Sequence, residues 1–191
     1  FGAAFETVKY LKDKGHKKIG AVIGLENVFT SRERFKGFME AVKIYGLEVK
    51  KEWILNGNYT VEGSKKAILK LFKSSNLPTA LISFNNVMTL GVLKAFKELK
   101  VRIPEDISLI SFDDAPWNEF NEVPITSIVQ PVEEIGTIAA TVLLGKLENF
   151  KISKRNLLKP SRIVLKSYLL ERSSVRTINS SSQYLSKKRR S

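Results

Sequence analysis

Residues 79–114 read TALISFNNVMTLGVLKAFKELKVRIPEDISLISFDD, and this stretch decides the fold class. Thr79 to Phe84 and Ile107 to Phe112 are short apolar runs, as in strands covered on both faces of a parallel sheet. Between them, Met88 to Leu99 carries apolar residues at helical spacing. Asn85-Asn86 is the loop after the first run, and Asp113-Asp114 follows the second. Strand, helix and strand in this order make a βαβ unit, whose crossover is right-handed.

The unit repeats outward from this stretch. Upstream, Phe5, Val8 and Leu11 with Ala4 predict a helix over the first fifteen residues, stopped by Gly15, before a strand at Lys18 to Gly24 (KIGAVIG). Thr30 stands three residues before Glu33, a capping box that predicts a helix with Phe35, Phe38, Met39 and Val42 inward, ending near Gly46. Glu52 to Leu55 reads as a strand, Gly57-Asn58-Tyr59 as a loop, and Thr60 as the N-cap of a helix through Phe72. Downstream come a strand at Thr126 to Gln130, a helix at Val132 to Leu147 marked by Pro131, a polar loop at Asn149 to Asn156, and a last strand at Ile163 to Leu169. The alternation predicts an α/β fold, an open doubly wound parallel sheet. Residues 173–191 (SSVRTINSSSQYLSKKRRS) have too little apolar content to fold alone, and the expectation is a disordered basic tail.

Composition narrows the function classes. The 191 residues include 32 Lys and Arg against 19 Asp and Glu, a formal charge of +13, but residues 151–191 hold 12 of those cations against Glu171 alone. The body is therefore near neutral, which argues against a protein that coats nucleic acid over its whole surface. The absence of cysteine removes disulfides, thiol catalysis, zinc knuckles and Fe–S clusters. His16 is the only histidine, which leaves little for metal ligation or Ser-His chemistry, and beside Gly15 it reads as a partner of the last carbonyls of a helix. No apolar run approaches the roughly 20 residues of a membrane helix. GxGxxG, Walker A, HExxH and GxSxG are all absent, and neither a cofactor nor a metal is expected.

In an open α/β sheet, ligands bind beyond the carboxyl ends of the strands. Those ends here carry Arg32 and Arg34, Tyr59, Asn85 and Asn86, Asp113 and Asp114, then Trp117. Arg32 and Arg34 are two residues apart and cannot share a helix face, so only one looks into a cleft. Arg34 would sit in the first helical turn, where the macrodipole disfavours a cation; a surface arginine beside Glu33 is the competing reading. Asp113-Asp114 lacks a partner base, so helix capping or a turn competes with ligand binding there. Arg34 donates in a fixed fork, Asn85 donates and accepts, and Asp113 accepts, which together suit the mixed hydroxyls of a carbohydrate. Tyr59, Trp117 and Phe84 are candidates to cover its C–H face, with core packing as the alternative for each.

The segments GHKKIGAVIG (15–24), SRERFKGFMEA (31–41), PTALISFNNVMTLGVLKAF (78–96), VRIPEDISLISFDDAPW (101–117) and PITSIVQPVEEIG (124–136) resemble the effector-binding part of LacI/GalR-type transcriptional repressors. That family shares the fold of type I periplasmic sugar-binding proteins. The resemblance covers about residues 1–172 and implies that Arg34, Tyr59, Asn85, Asp113 and Gln130 bind the effector. Asn86 departs from the aspartate often found at its position. By this comparison, residues 1–129 with 161–172 are the C-terminal effector-binding subdomain, and 131–160 belong to an N-terminal subdomain that is mostly missing. The implied protein is cytoplasmic and non-catalytic. It takes a small-molecule effector, a sugar, and forms a homodimer. It reaches operator DNA only through a helix-turn-helix that this chain does not contain. Two rivals remain: an extracytoplasmic sugar receptor of a transporter, and an α/β enzyme acting on a sugar or nucleotide with Asp113 as base.

Overall fold

The computed structural model describes residues 1–152 and 162–179. The chain divides into two units, residues 1–129 with 169–191, and residues 130–168. The first holds α1 (Gly2–Asp13), β1 (Ile19–Ile23), α2 (Phe29–Ile44), a single 3₁₀ turn (Lys51–Trp53), β2 (Ile54–Asn56), α3 (Val61–Leu71), β3 (Ala80–Ser83), α4 (Asn86–Leu99), β4 (Ser108–Phe112), α5 (Pro116–Phe120) and β5 (Thr126–Val129). The second holds α6 (Val132–Ile152), and β6 (Tyr168–Leu170) begins at its boundary with the first.

The sheet order is β2-β1-β3-β4-β5-β6, with parallel pairing from β2 through β5. Every residue of β1, β3 and β4 is buried, which accounts for their continuous apolar runs. The chain moves from β1 outward to β2 and then crosses back to β3. Right-handed crossovers therefore put α2 and α3 on opposite faces, and α1 packs on α2 while α3 packs on α4. Trp53, Phe38, Phe84, Phe96 and Phe112 fill the core, with Phe84 edge-on to both Phe38 and Phe112. Strand order reverses between β1 and β3, so the crevice of the sheet opens at their carboxyl ends.

Local signals mostly act as expected. The Thr60 hydroxyl caps α3 by accepting from the Gly63 N–H at 2.9 Å. The capping box at Thr30 does not form: α2 begins at Phe29 with Val28 as its N-cap and no side-chain cap bond. The strand expected at Ile163 to Leu169 reduces to Tyr168–Leu170, and residues 162–167 have no regular structure.

The segment 173–179 differs from the expected tail. Ser174 is fully buried; its hydroxyl donates to the Leu109 carbonyl at 2.5 Å and accepts from the Thr126 N–H at 2.8 Å. Its own carbonyl accepts from Leu109 N–H, and Ile178 N–H donates to the Lys14 carbonyl. Polar side chains satisfy buried strand ends here, a form of packing that low apolar content does not reveal. Residues 180–191, including the basic end at 187–190, lie outside the described residues.

His16 also differs. It is fully buried, with Nε2 3.1 Å from the Arg176 carbonyl and Nδ1 2.9 Å from the Thr79 hydroxyl. A carbonyl only accepts, so Nε2 carries the proton. Burial lowers its pKa to about 4.

Candidate effector site

Arg34 is the cation that faces the crevice. Its Nη1 donates to the Phe84 carbonyl, its Nη2 lies 3.5 Å from Asp113 Oδ1, and its guanidinium carbon sits 4.6 Å from the centre of the Phe112 ring. The side chain is 14% exposed, so its charge is met in partial shelter by an ion pair, a carbonyl and an aromatic face; as the sixth residue of α2 it lies beyond the first turn expected for it, where the dipole would oppose a cation. Arg32 instead bonds the carbonyls of Glu26 and Asn27 in the preceding loop. The two-residue spacing thus separates one inward arginine from one outward arginine.

Asp113 follows β4 with φ +67, the left-handed region, which turns its carboxylate toward Arg34. Its backbone is fixed on both sides: Asp113 N–H donates to the Ile128 carbonyl, and its carbonyl accepts from Asn118 Nδ2. Asn85 has a structural task as well as a candidate one. Its Oδ1 caps α4 by accepting from Met88 N–H at 2.8 Å, which orients Nδ2 as a donor at the crevice, 3.3 Å from Asn86 Oδ1.

Beneath these groups lies a hydroxyl layer that sequence reading missed. Thr89 and Ser111 share a bond of 2.8 Å, Thr89 also donates to the Asn85 carbonyl, and Ser83 donates to the same carbonyl. Small hydroxyl residues in otherwise apolar strands (Ser83 and Ser111) were the available signal, but only the register Ser83↔Ser111 reveals their shared purpose.

Tyr59 stands at the end of β2, where Asn58 and Tyr59 both take positive φ, +52 and +56. Consecutive left-handed non-glycine residues are strained and cluster at ligand sites. The ring lies against Gly24, where a Cβ would fall 2.2 Å from Tyr59 Cζ, and the phenol oxygen is buried without a hydrogen-bond partner among the described residues. Gly24 is thus what gives the ring its place beside the carboxyl end of β1.

Trp117 is placed apart from this cluster. Trp117 lines a separate groove of about 970 Å³ with Leu90, Leu93, Phe120 and Val123. Gln130 opens the second unit. Asp114 has its own partner, a two-pronged pair with Arg172 at 2.8 Å on both oxygens; that guanidinium holds its pKa below the usual carboxylate range. Among the described residues no group of three or more His, Cys, Asp or Glu could hold a metal ion, and no helix is long and apolar enough to cross a membrane.

The sequence profile of the periplasmic binding protein-like domain matches residues 8–175. The chain belongs to that family. It is 33% identical over 164 residues to the transcriptional repressor CytR of Escherichia coli K12, covering 86% of this chain and 48% of that one. A LacI regulator structure from Bacillus cereus superposes with a TM-score of 0.84 at 27% identity, over 93% of this chain and 61% of that one. The transcriptional regulator CelR in complex with cellobiose superposes with a TM-score of 0.80 at 26% identity, over 91% and 51%. This chain therefore spans about half the length of CytR.

Proposed function

We propose that the chain is the effector-binding region of a LacI-type transcriptional regulator, and that it binds a sugar without transforming it. The observation that carries this reading is Arg34, aimed from α2 at both Asp113 and the Phe84 carbonyl at the reversal point of the sheet. A donor fork, a carboxylate acceptor and the Asn85 amide offer the paired donors and acceptors that vicinal hydroxyls need. The complex of CelR with cellobiose, a regulator of the same fold, supports a sugar as the class.

Catalysis fits the geometry poorly. Asp113 faces the Arg34 guanidinium, and Asp114 is held as an acceptor by Arg172. In the intact regulator, ligand closure of two subdomains would shift a homodimer between states that differ in affinity for operator DNA. The exposed apolar residues of α6, Val132, Leu143 and Leu144, suit a helix covered by a further subdomain, and the groove beside the exposed Phe120 suits a second copy. The resulting location is the cytoplasm.

A thermal-shift screen of mono- and disaccharides against a protein carrying both subdomains tests the reading. An effector at about 100 times its Kd adds about 2.7 kcal/mol of stability. Sugar turnover followed by NMR, or stabilisation by no sugar at all, would contradict it.

A further inference from the structure

A second recess lies away from the crevice, at the outer edge of the sheet. It has a volume of about 490 Å³ between β2 and α3. Ile54, Leu55, Ala67 and Leu71 form its apolar floor, and Lys51, Lys66 and Lys70 stand on its rim against Glu52 alone. Lys66 and Lys70 are one helical turn apart on the same face of α3, both exposed. None of the three lysines has an ion-pair partner among the described residues, whereas neighbouring Lys65 is paired with Glu98 at 2.6 Å.

The strand beside the recess is open. β2 is the edge of the sheet, paired only with β1. Gly57 N–H donates to the Ile23 carbonyl, and backbone direction alternates along a strand, so Leu55 also faces β1. The Ile54 carbonyl and both backbone groups of Asn56 therefore point away from the sheet, where no described residue meets them. Lysines at a sheet edge also keep like edges apart, but that task needs no apolar recess beside the edge.

We propose that this edge is a docking site for an extended acidic peptide segment of a partner protein, which adds to β2 as a further strand. Its backbone would pair with Ile54 and Asn56, and of the alternate side chains on its α3 side an apolar one would enter the recess while the carboxylates flanking it would meet Lys66 and Lys70. Charge selects the partner and backbone pairing fixes its direction.

The test uses the full chain and a peptide of sequence Glu-Thr-Val-Thr-Glu-Thr, with fluorescein on its N-terminal amine and an amidated C-terminus, so that both carboxylates and the valine share one face of the strand. Anisotropy is expected to show saturable binding below about 1 mM, and the Lys66→Glu, Lys70→Glu double variant to weaken it by about tenfold or more. Lys17→Glu with Lys43→Glu, exposed and outside both grooves, is expected to leave it unchanged. Alternate N-methylation of the peptide backbone is expected to abolish binding, and amide NMR shifts to concentrate at residues 54–56 and 66–70. The proposal is overturned by no saturable binding, by equal binding of the N-methylated peptide, by shifts concentrated elsewhere, or by equal competition from single-stranded DNA of the same charge.

Discussion

His16 makes the stability of the fold depend on pH in a window where few other groups titrate. Its pKa is lowered from 6.5 to about 4 in the folded chain, chiefly by burial. As pH falls below 6.5 the unfolded chain takes up a proton that the folded chain refuses, so stability present above that pH is lost on acidification. Each unit of pH in the window costs about 1.4 kcal/mol, and the descent to about pH 5 costs about 2 kcal/mol. Asp114 and Glu171, both held low by cations, lose their contribution only at lower pH. Urea denaturation measures the loss: with a slope of about 2 kcal/mol per molar, the midpoint should fall by about 1 M between about pH 7 and pH 5. His16→Gln should lower stability at neutral pH and flatten this dependence. A wild-type midpoint that does not move, or an equal slope in His16→Gln, would refute the buried neutral histidine.

Further outcomes follow from single contacts. Ser174→Ala strips a partner from the buried Thr126 N–H and Leu109 carbonyl and should cost about 2–3 kcal/mol, lowering Tm by about 5–10 °C by scanning calorimetry; an unchanged Tm would mean that residues 173–178 do not pack. Arg172→Ala leaves Asp114 without its fork in partial shelter and should cost about 1–2 kcal/mol, read by the same scan. Gly24→Ala collides with the Tyr59 ring, so effector affinity should fall while the circular dichroism spectrum stays native.

Much of this molecule was legible in the order of its residues. Continuous apolar runs at 18–24, 79–84 and 107–112 announce central parallel strands because both of their faces are covered. Arg34, Asn85 and Asp113 were legible because each follows a strand, and strand ends converge at one edge of such a sheet. The start of α2 differs because Thr30 and Glu33 match a capping pattern although the chain enters the helix two residues earlier, at Val28. Trp117 follows the same rule as Asp113 in sequence, yet the short helix α5 carries it to another groove. The anchoring of 173–179 and the burial of His16 depend on each other across some 160 residues, through the Arg176 carbonyl, and no local pattern encodes such a pairing. Gly24 closes the apolar run 18–24, and its importance lies in the ring it admits, which only tertiary packing discloses.

The central claim is that Arg34 and Asp113 grip the effector from one side of the crevice. Titration calorimetry of the stabilising sugar, on a protein carrying both subdomains, compares the native chain with Arg34→Ala and Asp113→Ala. Each substitution should weaken binding by about 1.5–3 kcal/mol, or about 10- to 150-fold in Kd. Unchanged affinity in both variants, with native circular dichroism spectra, would contradict the site.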